Sequence, residues 1–218
     1  MTLALFDLDN TLLAGDSDHS WGEFLIHKGI VDAKAYGKAN DAFFEDYKNG
    51  TLDIVAYQEF ALTALIPLDS AQRKQLHNEF MAQVITPMMQ PKAVKLIEKH
   101  RQQGDTLVII TATNSFVTGP IATALGIDTL LATEPEIIDS MFTGKIVGIP
   151  CFQEGKIVKL NEWLSTTGHS LDGAWFYSDS ANDLPLLERV ANPVAVDPDE
   201  RLLKHATEQQ WPVISLRD

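Results

Sequence analysis

The stretch FDLDNTLLAGDS, residues 6–17, carries two aspartates, Asp7 and Asp9, directly after a short apolar run that begins at Thr2. The run is bounded by polar residues and is too short for a helix, which predicts a buried β-strand ending near Asp7. Neighbouring carboxylates repel each other and raise at least one pKa, so a fold tolerates them mainly where a cation or a chemical task needs them. The stretch therefore marks one strand end as a candidate active site.

The rest of the chain alternates between strand and helix patterns. Short apolar runs predict further strands, and helical patterns separate them, so the sequence predicts an α/β fold: a Rossmann-like parallel sheet with helices on both faces. Ligands of such sheets bind at the carboxyl ends of the strands, where the sequence places Asp7, Thr111 and Asp179. The further predicted strands are residues 106–111, 174–179, 193–196 and 212–216.

Residues 16–86 interrupt this alternation, because they contain four helical stretches and no strand pattern. This predicts a helical cap domain, residues 16–86, inserted into a catalytic core made of residues 1–15 and 87–218. A second irregular stretch, residues 132–152, alternates around Gly144 and predicts a β-hairpin beside the main sheet.

The negative net charge narrows the classes of partner that the protein can bind. The 218 residues include 30 Asp and Glu against 17 Lys and Arg, for a formal charge of -13. Such a surface repels nucleic acids and anionic membranes, and no basic run offsets it. The apolar start is too short for a signal peptide or a membrane span, so we expect a cytoplasmic protein that binds neither nucleic acid nor a membrane.

Four separate pieces of sequence carry the chemistry, and each alone is weak evidence. Short acidic motifs also form turns and helix caps, and a threonine that ends a buried strand is usually structural. A lysine in the first turn of a helix opposes the helix dipole, although many such lysines are simply solvated. The joint occurrence of the four pieces indicates one site, built from residues 7–11, Thr111, Lys156 and residues 178–183.

On these residues the sequence resembles the haloacid dehalogenase superfamily, in the branch that contains phosphoserine phosphatase. The family's Asp-x-Asp-x-Thr motif matches residues 7–11, and its strand-end Ser or Thr matches Thr111. Its lysine matches Lys156, with Lys159 as the alternative. Its acidic motif, Gly-Asp-x-x-Asn-Asp, matches residues 178–183 with a serine in place of the glycine. The helical insertion after the first motif is also similar to that branch.

The resemblance implies Mg²⁺ as the cofactor. A phosphate monoester dianion needs its charge neutralised before a carboxylate attacks it, and a hard cation held by oxygen ligands does this. Asp7, Asp179 and the backbone carbonyl of Asp9 are expected to hold the ion, and Asp183 is expected to order its water ligands.

The same residues suit phosphoryl transfer through a covalent intermediate. Asp7 is expected to attack phosphorus and form an aspartyl-phosphate. Asp9 is expected to protonate the departing alkoxide and later to take a proton from the attacking water. The groups expected to bind and position the phosphoryl oxygens are Thr111, Lys156 and Asn182.

The resemblance implies a small phosphorylated metabolite as the substrate, and the cap is expected to select its leaving group. Residues 16–90 contain 7 Asp and 4 Glu against 5 Lys and 1 Arg, a net charge of -5. The arginine, Arg73, lies in the polar run AQRKQ and is predicted to face solvent. An acidic cap without a well-placed arginine favours a cationic or neutral leaving group over a carboxylate. The candidate selectors are Asp16, Asp18, His19, Trp21 and Glu23.

Residues 6–25, FDLDNTLLAGDSDHSWGEFL, also resemble a bacterial group in this branch that is associated with histidinol-phosphate hydrolysis, a step of amino-acid biosynthesis. Histidinol phosphate carries an ammonium and an imidazole and no carboxylate, which suits an acidic cap. Phosphocholine-like and other amino-alcohol phosphates fit the same charge argument. A phosphoserine phosphatase or a phosphotransferase with the same intermediate stays open, and a non-catalytic phosphate-binding protein is the weakest alternative.

Overall fold

The computed structural model describes residues 2–217, which form a seven-stranded sheet in the order β4-β3-β2-β1-β5-β6-β7. Neighbouring strands are parallel except for the antiparallel pair β3–β4. The predicted α/β fold is confirmed. The strands are β1 Leu3–Phe6, β2 Thr106–Asn114, β3 Thr129–Ile138, β4 Met141–Val147, β5 Trp175–Ser178, β6 Asn192–Val196 and β7 Val213–Ile214.

The helices connect these strands, and aspartates begin many of them. The side chains of Asp32, Asp53, Asp69 and Asp199 each accept a hydrogen bond from the backbone N–H three residues on, which satisfies an otherwise unpaired donor. The helices are α1 Ser17–His27, α2 Ala33–Asn49, α3 Ile54–Thr63, α4 Ser70–Phe80, α5 Thr86–Met88, α6 Pro91–Gln103, α7 Ser115–Ala124, α8 Glu154–Thr167, α9 Leu184–Leu187 and α10 Glu200–Glu208.

Strand β1 lies at the centre of the sheet and is buried on both faces. Ala4 and Phe6 pack into one hydrophobic cluster, and Leu3 and Leu5 pack into the other, on the opposite face. This is the pattern expected of a parallel strand covered by helices on both sides. The first polar side chain after the strand, Asp7, therefore emerges at its carboxyl end, in the middle of the sheet edge.

The predicted hairpin is present. Its turn lies at Asp139 and Ser140, whose φ angles of 49° and 65° suit a tight hairpin turn. The hairpin is also continuous with the main sheet, because β3 begins at Thr129 and pairs with β2 in parallel before it meets β4. Gly144 lies within β4 at a φ of 85°, where a Cβ atom would lie 2.9 Å from Ile66.

All four helices that the sequence predicts between residues 16 and 86 are present, as α1 to α4. The division into a core and a cap domain stays a prediction, and its terminal residues 1 and 218 lie outside the described part. The helical pattern NDLPLLERVA, residues 182–191, forms only a short helix, with a 3₁₀ turn at Ala181–Asp183 followed by α9. Among residues 2–217, no helix has the length and apolar character that a membrane crossing requires.

Candidate active site

The carboxyl end of β1 brings Asp7 into contact with a lysine from the first turn of α8. The ammonium of Lys156 donates to Asp7 Oδ1 at 2.7 Å, and it lies 2.7 Å from Asp183 Oδ1. All three side chains are buried. Two carboxylates that are far apart in the sequence therefore share one cation in a region that water barely reaches.

The backbone before α8 explains how Lys156 reaches this position. A Cβ atom on Gly155 would lie 2.0 Å from the carbonyl oxygen of Pro150, so this close approach requires glycine. Burial by itself lowers the pKa of Lys156, but the carboxylates of Asp183 and Asp7 raise it above its usual value, so the lysine stays charged. The alternative, Lys159, lines a separate surface groove.

Asp9 lies beside Asp7 and is held at both oxygens. Its Oδ1 accepts from the backbone N–H of Ser17 at 2.6 Å, and its Oδ2 accepts from the hydroxyl of Thr113 at 2.8 Å. Burial and, to a smaller extent, the nearby charge of Asp16 raise the pKa of Asp9 to about 7, although its hydrogen bonds oppose the shift. Asp9 is therefore oriented, and both of its protonation states are accessible near neutral pH.

The acidic cluster, formed by Asp7, Asp9, Asp179 and Asp183, carries more negative charge than the ammonium of Lys156 balances. Burial raises the pKa of Asp7 to about 7 in spite of Lys156, and burial together with the charges of Asp7 and Asp183 raises the pKa of Asp179 well above its usual value. Asp179 Oδ1 also accepts from the hydroxyl of Thr11 at 3.1 Å. An all-oxygen set of buried carboxylates facing one ammonium fits a hard dication such as Mg²⁺.

The remaining predicted phosphate ligands lie nearby in different settings. Thr111 is buried inside β2, three residues before its end, and lines the same cavity as Asp7. Asn182 contacts the end of α2, because its Nδ2 donates to the carbonyl of Tyr47 at 3.1 Å. Gln153 Nε2 donates to Asn182 Oδ1 at 3.4 Å. This contact between the acidic motif and α2 could not be predicted from the sequence.

A narrow cavity of about 40 Å³ opens beside Asp7 and Asp9, which leaves room for a few water molecules. Its walls come from β2 and from α1, α2 and α3. No Lys or Arg is among the described residues that line it. The acidic and polar lining includes Asp16, Asp18, His19 and Asn40, and the aromatic lining consists of Phe43, Phe44, Tyr47 and Tyr57.

The two acidic wall residues differ in their surroundings. Asp16 caps α1 by accepting from the backbone N–H of His19 at 2.8 Å. Asp18 is 8% exposed, and among residues 2–217 its Oδ1 has no hydrogen-bond partner, while its Oδ2 lies 3.4 Å from Gln58 Nε2. Burial raises the pKa of Asp18 well above its usual value, and the charges of Asp16 and Asp9 add to the shift. Asp18 is thus a buried carboxyl group with one oxygen that accepts no hydrogen bond within the described part of the chain.

The structure does not bring two of the predicted selector residues to the cavity. Trp21 is 1% exposed and packs against Phe24 and Phe80 in the hydrophobic core. Glu23 is exposed and does not line the cavity. Since an α-helix turns about 100° per residue, α1 presents residues 18 and 19 to the cavity while residues 21 and 23 point elsewhere.

The prediction that Arg73 faces solvent was wrong. Its side chain is buried, its Nη2 donates to the carbonyl of Ser140 at 2.7 Å, and its guanidinium lies 4.8 Å from the ring centre of Phe142. The polar neighbours of Arg73 in the sequence hide this contact, because it depends on how α4 packs against the hairpin. Arg73 does not line the cavity.

Sequence reasoning missed the aromatic half of the cavity. Asn40, Phe43, Phe44 and Tyr47 follow one another on α2 at positions i, i+3, i+4 and i+7, which places them on one helix face. That spacing is visible in the sequence and could have identified the face.

Comparisons with known proteins identify the family of this chain. Residues 4–188 match the model of the haloacid dehalogenase-like hydrolase family. The chain is 43% identical to a histidinol-phosphatase of Neisseria meningitidis serogroup C (strain 8013), covering 99% of both proteins. It is 33% identical to a probable phosphatase of Mycobacterium tuberculosis (strain ATCC 25618 / H37Rv), covering 98% of this chain and 75% of that protein.

Solved structures give the same result for the fold. A crystal structure of a protein of unknown function from Bordetella pertussis Tohama I superposes with a TM-score of 0.93 at 43% identity, covering 99% of this chain and 100% of that one. A substrate-bound phosphoserine phosphatase superposes with a TM-score of 0.72 at 15% identity, covering 99% and 93%. This chain therefore belongs to the haloacid dehalogenase-like hydrolase family, and it is a phosphatase of that family.

Proposed function

We propose that this protein is a Mg²⁺-dependent phosphomonoesterase that hydrolyses histidinol phosphate, or a closely similar cationic amino-alcohol phosphate, through an aspartyl-phosphate on Asp7. The observation that carries the proposal is the cavity beside Asp7 and Asp9, whose walls are acidic and aromatic and contain no Lys or Arg among the described residues. The histidinol-phosphatase of Neisseria meningitidis, 43% identical over nearly the whole chain, supports the choice of substrate.

Asp7 is the nucleophile in this proposal. The ammonium of Lys156 at 2.7 Å favours the ionised, reactive form of the carboxylate. When bound, Mg²⁺ would be held by Asp7, Asp179 and the carbonyl of Asp9, with Asp183 ordering its water ligands, and it would neutralise charge on the phosphate. Lys156 and Thr111 then bind phosphoryl oxygens and hold the phosphorus in line with Asp7.

Asp9 is the general acid and base. The backbone N–H of Ser17 and the hydroxyl of Thr113 fix the orientation of its carboxyl group. A pKa of about 7 lets Asp9 hold a proton for the departing alkoxide oxygen and, once ionised, accept a proton from the water that hydrolyses the phosphoenzyme.

The cavity walls select the leaving group. A cationic amino alcohol gains electrostatic attraction from Asp16 and Asp18 and cation–π attraction from Phe44 or Tyr57, worth about 0.5–2 kcal/mol for a desolvated pair. The carboxylate of phosphoserine would instead enter an acidic cavity without a cation to pair with, which is unfavourable. The same walls offer a flat aromatic surface to an imidazole ring.

The test is a panel of phosphorylated metabolites assayed for phosphate release with Mg²⁺ and with EDTA. The proposal predicts that histidinol phosphate is the best substrate, that p-nitrophenyl phosphate is hydrolysed slowly, and that EDTA stops both reactions. Full activity in EDTA would contradict the metal assignment, and a preference for phosphoserine would contradict the substrate. A phosphotransferase would be recognised by transfer of the phosphoryl group to an added alcohol.

A further inference from the structure

Three metal-ligating side chains converge at the rim of the substrate cavity. His19 and Glu23 lie one turn apart on α1, and Asp41 lies on α2. One ligand atom from each lies within 4.8 Å of the other two, and no other trio of His, Cys, Asp or Glu side chains in residues 2–217 meets that criterion. His19 also lines the cavity itself.

The contacts of the three side chains leave them available to a cation. His19 Nε2 lies 3.0 Å from Asp41 Oδ1, and the imidazole ring stacks on Phe44 with 4.6 Å between ring centres, which fixes the plane of the ring. In the described part of the chain, Glu23 has no side-chain hydrogen bond or ion pair, and Asp41 has none except with His19.

The spacing is close to what a small transition-metal ion requires. Zinc bonds of about 2.0–2.2 Å to nitrogen and oxygen in a tetrahedral site place neighbouring ligand atoms roughly 3.3 Å apart. His19 Nε2 and Asp41 Oδ1, at 3.0 Å, are already near this value. Glu23 must approach by up to about 1.5 Å, which is within the reach of a side-chain rotation in an exposed glutamate.

Charge and ligand type favour the same conclusion. With a neutral imidazole the trio carries two negative charges, and it lies on a chain with a formal charge of -13, beside a cavity that also contains Asp16 and Asp18. A divalent cation neutralises the two carboxylates. The imidazole nitrogen favours Zn²⁺, Co²⁺ or Ni²⁺ over Mg²⁺, which prefers an all-oxygen shell.

We propose that His19, Glu23 and Asp41 form a second divalent-cation site, selective for a transition-metal ion, at the rim of the substrate cavity. The ion binds Nε2 of the neutral imidazole and an oxygen of Asp41 in place of the contact between them, and the ring proton then resides on Nδ1. The fourth ligand position is left for water. Because its ligands come from α1 and α2, the bound ion ties the two helices together and holds His19 in one position at the cavity wall.

The experiment is a Co²⁺ titration of the wild-type protein in excess Mg²⁺, followed by visible absorption. A tetrahedral site with a nitrogen ligand gives an intense visible band, whereas six-coordinate Co²⁺ at an all-oxygen site absorbs weakly. We expect a band that saturates at one equivalent and that Zn²⁺ displaces. His19→Asn should remove the band, and Glu23→Gln or Asp41→Asn should each weaken Co²⁺ binding at least about tenfold.

The matched control is Glu45→Gln, which removes another exposed acid from α2 and should leave the titration unchanged. No intense band in the wild type, or the same band in His19→Asn, would overturn the proposal. Anomalous diffraction from wild-type crystals grown with Zn²⁺ gives an answer that depends on no variant. A peak between the three side chains would support the site, and occupied zinc elsewhere with none here would overturn it.

Discussion

The ammonium of Lys156 and the carboxylate of Asp7 lie 2.7 Å apart, and both side chains are almost fully buried. Asp183 contacts the same ammonium. Burial and Lys156 act on the pKa of Asp7 in opposite directions, because burial disfavours its charged form and Lys156 favours it. A nucleophilic carboxylate must be ionised to react, so in the proposed mechanism Lys156 keeps Asp7 competent as well as binding the phosphate.

Replacing the nucleophile should eliminate turnover and preserve the fold. Asp7→Asn is nearly isosteric, but an amide is a poor nucleophile, so we expect no phosphate release above background under steady-state conditions. Circular dichroism and thermal unfolding should show a folded protein. Asp46→Asn, on the exposed side of α2, is the matched control. A folded Asp7→Asn protein with substantial phosphatase activity would contradict the mechanism.

Asp9→Asn should separate the two chemical roles. Loss of the general acid and base should lower kcat for histidinol phosphate by on the order of a hundredfold or more. Formation of the phosphoenzyme from p-nitrophenyl phosphate should suffer less, because nitrophenolate leaves without a proton. Rapid-quench measurement of both steps checks this. Equal losses with the two esters would mean that Asp9 does not act as the acid.

The buried carboxylates should make the metal-free protein less stable as the pH rises. Folding raises the pKa values of Asp7 and Asp9 from 3.8 to about 7, so the protonated forms favour the folded state and this contribution is lost as pH approaches and passes 7. Thermal scans in EDTA between about pH 5 and about pH 8 should show a falling Tm. Mg²⁺ binds the ionised carboxylates and should raise Tm most at the upper end.

A rise in the metal-free Tm over that pH range would contradict this account of the acidic cluster. The double variant Asp7→Asn, Asp9→Asn is the matched control. Without the two titrating groups, the fall in Tm with pH should become smaller.

The contacts between α2 and the acidic motif predict a coupled opening. Arg201 Nη2 donates to the carbonyl of Lys48 at 3.2 Å, and Asn182 donates to that of Tyr47, so two side chains hold the end of α2 above the site. The same end of α2 supplies Tyr47 to the cavity wall, so its opening would expose the site. Arg201→Ala should speed hydrogen exchange at residues 47–51 several-fold, since a hydrogen bond contributes about 1 kcal/mol.

The exposed Arg189 supplies the control, because among the described residues its side chain makes no hydrogen bond or ion pair. Arg189→Ala should leave the exchange of residues 47–51 unchanged. Unchanged exchange in Arg201→Ala as well would mean that this contact does not hold α2.

The sequence was most informative where local pattern and chemistry coincide. The apolar run before Asp7 predicts a central strand because only a buried parallel strand needs so many consecutive apolar residues, and the carboxylates follow where that strand must end. The acidic motif that contains Asp179 and Asp183 could be placed for the same reason. Each of these predictions concerns a strand end, whose position in a parallel sheet follows from the topology.

The residues of the cavity walls were harder to predict from the sequence, because their positions depend on how the helices pack. Trp21 and Glu23 are close to Asp18 in the sequence, but the helical turn points them away from the cavity. The aromatic face of α2 was missed because the cavity it lines forms only when α2 packs against α1 near the end of β2. Arg73 was placed in solvent because its polar neighbours give no sign of the hairpin that covers it.

The most direct test of the central claim is the ratio of kcat/KM for histidinol phosphate to that for phosphoserine, in the wild type and in Asp18→Asn. The account predicts at least about a tenfold preference for histidinol phosphate, equivalent to about 1.4 kcal/mol, because the acidic cavity stabilises a cation and repels a carboxylate. Asp18→Asn should shrink this ratio and leave p-nitrophenyl phosphate hydrolysis nearly unchanged. Equal kcat/KM for the two esters in the wild type would contradict the claim that this cavity selects its substrate by charge.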